Sequence, residues 1–367
     1  MGVAVMVDQE PAAAKPRSRT RLVVQAVVSL ALVVVIFYFL LKKIDLSQVW
    51  AAITGMTWLE LTLLGLLAVW NLCTYAFVWM AVTPAPQLSF GRAMVMTQST
   101  TAVANTVPGG AAIGIGMTYA MLGSWGYSRS KSTTAVLVSG VWNSFIKLGM
   151  PVLALALVLL QGGAGGGRVT AALVGIAGLV GSITVFALIL RSEEGARRFG
   201  LLAGRVASRA LRLVRRPPVH GWDLATVKFR SRTIALVEHR WIAITGTSLV
   251  SHLSLYLVLL VSLRDVGVSD AQVGWAEVLV AFAFARLITA VPVTPAGVGF
   301  VEVTLIATLS AAGGDREQVT AAVLVYRALT WGLPILVGIA TYLWWRRSSI
   351  RPEPVTAAGP HVAGPPR

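Results

Sequence analysis

The chain is poor in charge, in acidic residues and in the side chains that metal and thiol chemistry needs. Charged residues make up 13% of its 367 residues, against about a quarter in a typical soluble domain. Hydrophobic residues make up 56%. An apolar excess of this size exceeds what one aqueous core can bury, so lipid must solvate part of it. The single cysteine, Cys73, excludes an intrachain disulfide and a thiolate-rich zinc site. The four histidines, His220, His239, His252 and His361, do not cluster at ligand spacing. No nucleotide loop, nucleophile motif or metal cluster is legible, so no enzyme activity and no cofactor are expected. The net charge of +16 raises the possibility of a nucleic-acid partner. The basic residues, however, fall between apolar runs and at the termini, and no recognition motif accompanies them.

What is present in abundance is long apolar sequence. A bilayer core of about 30 Å takes roughly 20 apolar residues in a helix. Six stretches qualify: 22–41, 57–82, 133–160, 169–190, 241–263 and 319–345. The first is too long for a signal peptide, lacks a small-residue cleavage site and is followed by Lys42 and Lys43, so it reads as a retained anchor. Two further segments are interrupted. One, 90–122, breaks at Pro108, Gly109 and Gly110; the other, 273–312, breaks at Pro295, Ala296 and Gly297. Proline removes a helical donor and glycine admits turns closed to other residues. The arms after the breaks, 111–122 and 298–312, reach about 18 and 22 Å at helical rise, short of a full crossing. Both segments therefore read as re-entrant helical hairpins. Two kinked crossings each are the other arrangement the same residues permit.

Lysine and arginine asymmetry sets the expected orientation. With both termini in the cytoplasm of a cell-membrane protein, 23 of the 31 Lys and Arg lie on the inner side, five on the outer side and three inside apolar segments. Lys42 and Lys43 are the local exception. In that orientation 57–160 and 241–345 have the same order of span, hairpin and span with opposite sense. Pro108 and Pro295 are 187 residues apart, against 184 between the starts of the two units. The expected fold class is an all-α polytopic membrane protein: six full transmembrane helices plus two re-entrant hairpins in an inverted-topology repeat, an arrangement that places a site at the bilayer midplane.

The expected organisation is a cytoplasmic disordered tail (1–21), a first anchor helix (22–41), repeat unit A (57–160, hairpin near 108) and a linking helix (169–190). A basic cytoplasmic loop (191–240), repeat unit B (241–345, hairpin near 295) and a cytoplasmic disordered tail (346–367) follow. Within the loop Phe199, Leu202, Val206, Ala210 and Leu213 share one helical face, accompanied by arginines. This pattern fits a helix on the inner leaflet held by anionic headgroups, or a solvated loop that only sets topology.

Intramembrane charges are costly and usually face a cavity or one another. Lys147, Arg286, Glu302 and Arg327 are such residues, and Asn143 lies one helical turn from Lys147. Three cations, one carboxylate and the amide donors that open the second hairpin arms suit an anionic lipid headgroup such as a phosphate. Each has a plainer role open to it: Glu302 as an internal partner of Arg286 or Arg327, and Lys147 in a wet crevice. His252 with Ser251 and Ser254 reads as an interhelical hydrogen-bonding cluster.

The run from Val107 through Pro108, Gly109, Gly110 and Gly114 to Tyr119 resembles the lysylphosphatidylglycerol synthase transmembrane-region family, the flippase-like domain family. So do Ala285 to Thr289, Thr294 to Glu302 and Tyr326 to Trp331. The resemblance implies a membrane domain that moves an anionic or aminoacylated phospholipid, or a related lipid, between leaflets. The chain shows no sign of the cytoplasmic aminoacyltransferase domain of multidomain members, so transfer from charged tRNA is not expected. Membrane lipids are the implied partners. The alternative is a non-transporting scaffold or subunit for a lipid- or glycan-modifying enzyme, docked through the arginine-rich loop.

Overall fold

The computed structural model describes residues 46–107, 109–160, 166–213, 221–289 and 294–349. The expected anchor at 22–41, Pro108 and both tails apart from 346–349 lie outside them. The described residues are helical, with no strand among them. Four helical stretches are long and apolar enough to cross a membrane: Trp58–Val82, Arg129–Leu160, Trp222–Asp265 and Arg316–Ser348. They contain four of the six expected spans.

Helix α1 (Leu46–Thr54) packs against α11 (Arg316–Arg327). Helix α2 (Trp58–Val82) opens on a reciprocal cap, in which the Thr57 amide donates to Glu60 Oε2 at 2.7 Å and the Glu60 amide to Thr57 Oγ1 at 3.3 Å. Its main neighbour is α8 (Trp222–Asp265), which it meets antiparallel. At one end Arg240 donates to the Thr83 carbonyl; midway, Asn71 Nδ2 donates to Ser254 Oγ at 2.6 Å and to the Ser251 carbonyl at 3.3 Å. Asn71 makes the interhelical link expected of the His252 cluster, while His252 Nδ1 stays within its own helix, 3.0 Å from the Ser248 carbonyl.

Both interrupted segments fold back on themselves. Helix α3 (Phe90–Thr106) turns at Gly109, whose φ is 71°, into α4 (Gly110–Ser124). The two arms touch closely because a Cβ at Gly110 would strike the Val103 carbonyl and one at Gly114 would crowd the Thr100 carbonyl. Helix α9 (Trp275–Ile288) returns as α10 (Phe300–Ala311). At its closed end a 3₁₀ turn, Pro295–Gly297, places Ala296 at φ 51° and Gly297 at φ 68°. At its open end Gly313 sits against the Gln272 carbonyl. Each pair is thus an antiparallel helical hairpin.

Each hairpin packs along a helix from a distant part of the chain. The first arm α3 packs along α12 (Leu333–Ser349), while α9 packs along α5 (Arg129–Leu160). The end of α3 also meets the Pro295–Gly297 turn, so the two hairpin tips adjoin. The α3–α12 contact is close: Ser99 and Thr341 share a 3.0 Å hydrogen bond, and Gly338 lies flat on the Gln98 carbonyl and the Ala102 methyl. Gly338→Val is therefore expected to push α12 off α3 and lower stability by about 3 kcal/mol, the upper end for an overpacked contact. Thermal unfolding followed by tryptophan fluorescence in detergent would measure it.

The last expected span, 319–345, is not uniform. Between α11 and α12, Ala328–Gly332 winds as a π-helix, with the Leu333 amide bonding to the Ala328 carbonyl. Pro334 has no amide hydrogen for the Thr330 carbonyl, and the ladder widens just ahead of it.

The basic segment 191–240 is largely helical as well. Helix α6 (Gly166–Arg191) leads to α7 (Glu193–Leu213), and α8 begins at Trp222, inside the stretch read as loop. At 44 residues α8 is about 66 Å long, roughly twice a bilayer core. Helix α7 folds back along its amino-terminal part, with Gly200 on Trp222 and Asp223, and Arg230 donating to the Leu190 carbonyl at 2.9 Å. The face of α7 against α8 is Ala196, Gly200, Gly204 and Ser208, whereas Phe199, Leu202 and Val206 are exposed.

Candidate functional site

A cavity of about 250 Å³ opens where the two hairpin tips meet α2, α5 and the π-helical segment. Ala104 and Asn105 come from the tip of the first hairpin; Arg286, Thr289 and Ala296 from the second; Lys147 from α5; and Arg327, Thr330 and Trp331 from the last span. Tyr75, Gln98, Thr101 and Tyr326 complete its polar wall. Lys147, Arg286 and Arg327 are thus brought to one cavity, as their chemistry in an apolar chain requires.

Glu302 stands behind this wall. It is 3% exposed; its Oε1 accepts from Arg327 Nε at 2.7 Å, and its Oε2 accepts from the Gly299 amide at 2.8 Å. One carboxylate therefore neutralises Arg327 and caps α10 at the hairpin turn, leaving it engaged on both oxygens. This is the internal-partner role, with Arg327 as the partner. Asn143 is not part of the lining: it shares a helical face with Lys147 but sits one turn away along α5. Of the expected turn residues, Gly109, Gly110, Ala296 and Gly297 form the hairpin ends described above, while Pro108 is outside the described residues and Pro295 opens the 3₁₀ turn.

The hydrogen bonds around the cavity leave donors over. Lys147 Nζ donates one bond, to Thr289 Oγ1 at 3.1 Å, and Thr289 Oγ1 donates to the Arg286 carbonyl at 2.6 Å. Arg286 Nε, Arg327 Nη2 and Trp331 Nε1 are buried and have no acceptor among the described residues. The Arg327 guanidinium also lies 5.7 Å from the centre of the Trp331 ring. Buried N–H groups without acceptors are costly. Arg286, Arg327 and Trp331, which carry these donors, line the cavity with Lys147, and the carboxylate behind them is committed, so the lining suits an anion with several oxygens.

Thr289, Tyr75, Gln98 and Trp331 line the cavity without a charge or helix break that marks them in the sequence. Pro334 carried the available signal for Trp331, because a proline inside a span marks a ladder defect that redirects neighbouring side chains. The other three arrive by packing across α2, α3 and α9 and leave no mark in any local pattern.

Long apolar helices arranged around a cation-lined internal cavity define a multi-pass membrane protein. The chain belongs to the family described as Lysylphosphatidylglycerol synthase TM region, which it matches over residues 26–338. No curated protein matches it.

Proposed function

We propose that the protein moves an anionic or aminoacylated phospholipid, or a related lipid, between leaflets, holding its headgroup in the cavity while the acyl tails stay in the bilayer. The observation that carries the reading is the set of buried, acceptor-free donors of Arg286, Arg327 and Trp331. Two arginines and an indole lining one cavity match phosphate oxygens, which accept several bonds at once. Lys147 adds a point charge beside Thr289, and Glu302 keeps Arg327 in place.

The two hairpins act as the gates, with both termini and the α7–α8 arm in the cytoplasm of the cell membrane. The exchange of contacts, α3 with α12 and α9 with α5, together with the antiparallel pairing of α2 with α8, fits two halves of opposite membrane sense. In this reading the hairpins are re-entrant and their tips meet at midplane depth, where helix ends and broken backbone can line a cavity without facing lipid.

The test is reconstitution into liposomes carrying fluorescent phosphatidylglycerol or a fluorescent polyprenyl phosphate, with a membrane-impermeant quencher added outside. Folded protein is expected to expose the inner-leaflet probe of at least one anionic lipid. Protection equal to that in empty liposomes for every lipid class would remove the proposal.

A second reading is favoured by one observation, the exposed apolar stripe of α7 flanked by Arg198, Arg205 and Arg209. A scaffold for a lipid- or glycan-modifying enzyme would use this face. Deleting 197–216 is expected to leave translocation in liposomes intact; loss of partner capture in cells, with no translocation by either protein, would favour the scaffold.

A further inference from the structure

A second cavity, about 340 Å³ in volume, lies on the arginine-rich face, away from the hairpin tips. It is bounded by the loop after α2, the first turns of α5 and one face of α8 between Arg232 and Arg240. We infer that this groove, built on Lys131, Arg232 and Arg240, is a binding site for a phosphate-bearing anion at the membrane boundary.

Three cations line it, with His239, and among the described residues no carboxylate does. Two of the three are braced rather than free. Lys131 Nζ donates to the Ala85 carbonyl at 2.6 Å, and Arg240 Nη1 donates to the Thr83 carbonyl at 3.3 Å. Tyr127 fixes the same loop by donating to the Pro86 carbonyl at 3.0 Å. One loop therefore holds two cations of like charge in one groove, each with donors to spare, since an ammonium carries three and a guanidinium five. Like charges held together are unfavourable until an anion bridges them. Ser130 adds a hydroxyl from the first turn of α5, where backbone amides also lack helical partners.

Arg240 is followed by Trp241 and Ile242, both exposed, at the point where α8 turns apolar. Tryptophan is enriched where helices cross the headgroup layer, and basic pockets between helices at that depth suit lipid phosphates. The volume accommodates a phosphate and its polar substituent, with acyl chains left outside. A lipid phosphodiester and a free phosphate share this chemistry. The site does not depend on transport through the central cavity.

Amide hydrogen exchange of the full chain in nanodiscs reads the site directly. The reporter peptides cover residues 128–136 and 230–240, far from Arg286. Phosphatidylglycerol discs are expected to slow exchange there by about tenfold relative to phosphatidylcholine discs, the protection that a ligand near ten times its Kd confers. Slowing in phosphatidylcholine discs on adding inorganic phosphate supports the same site with a soluble ligand. Lys131→Gln with Arg232→Gln should remove the protection; Arg232→Gln alone, at an exposed position, should weaken it without affecting the fold. Arg286→Gln should leave it unchanged. Equal exchange in both discs, with and without phosphate, overturns the inference, as does full protection in the double variant.

Discussion

Glu302→Ala is expected to destabilise the protein by about 3–5 kcal/mol, the range for breaking one side of a buried ion pair. The size follows from two simultaneous losses. Arg327, whose side chain is 12% exposed, loses its counterion, and the Gly299 amide loses its acceptor at the turn that starts α10. A charge left alone in an apolar surrounding costs more than the pair contributed, so the partner substitution should hurt similarly. Arg327→Met leaves the carboxylate unpaired, whereas Glu302→Ala combined with Arg327→Met leaves no isolated charge. The double variant is therefore expected to recover a large part of the loss, and the two single effects should not add. Unfolding in mixed micelles, followed by tryptophan fluorescence, measures all three. Simple additivity would mean that the pair is not coupled, and Glu302 would then be only a cap.

Arg286→Gln is expected to weaken headgroup binding by about 10- to 100-fold, from loss of a charged hydrogen bond of about 1.5–3 kcal/mol. Its stability should change little, because Arg286 Nε has no acceptor among the described residues to lose. Arg286→Glu should go further: a carboxylate there would pair with Lys147 and repel the anion, and translocation should fall to the level of empty liposomes. The contrast between Glu302 and Arg286 is the useful feature. One acidic and one basic residue, a short distance apart in the fold, separate the requirement for a stable hairpin from the requirement for an anion site. Fluorescent-lipid translocation and thermal unfolding, measured on the same preparations, distinguish the two.

The breaks and the buried cations were legible from sequence because each depends on local chemistry. Proline and glycine at 108–110 and 295–297 interrupt a helix whatever surrounds them, and a lysine or arginine within an apolar run must find a cavity or a partner. The choice of Arg327 over Arg286 as the partner of Glu302 was not legible, since it depends on how α10 and α11 lie against each other. Asn143 shows the limit of face arguments: four residues from Lys147 gives the same side of α5 but not the same depth. The packing face of α7 was hidden for a different reason. Ala196, Gly200 and Gly204 carry little hydropathy, yet small residues allow the closest helix approach, so α7 turns these to α8 and leaves Phe199, Leu202 and Val206 outside. The early start of α8 was hidden because apolar windows end where charges begin, while the helix runs on through them.

Crosslinking tests the central cavity most directly. Phosphatidylglycerol bearing a photoreactive headgroup would be activated in nanodiscs with the purified protein and the adducts mapped by mass spectrometry. Adducts are expected on Thr101, Asn105, Thr289 and Thr330, and they should be lost in Arg286→Glu. Adducts confined to outward-facing residues such as Leu336 and Ile339, and equally abundant in Arg286→Glu, would contradict an anion site between the hairpin tips.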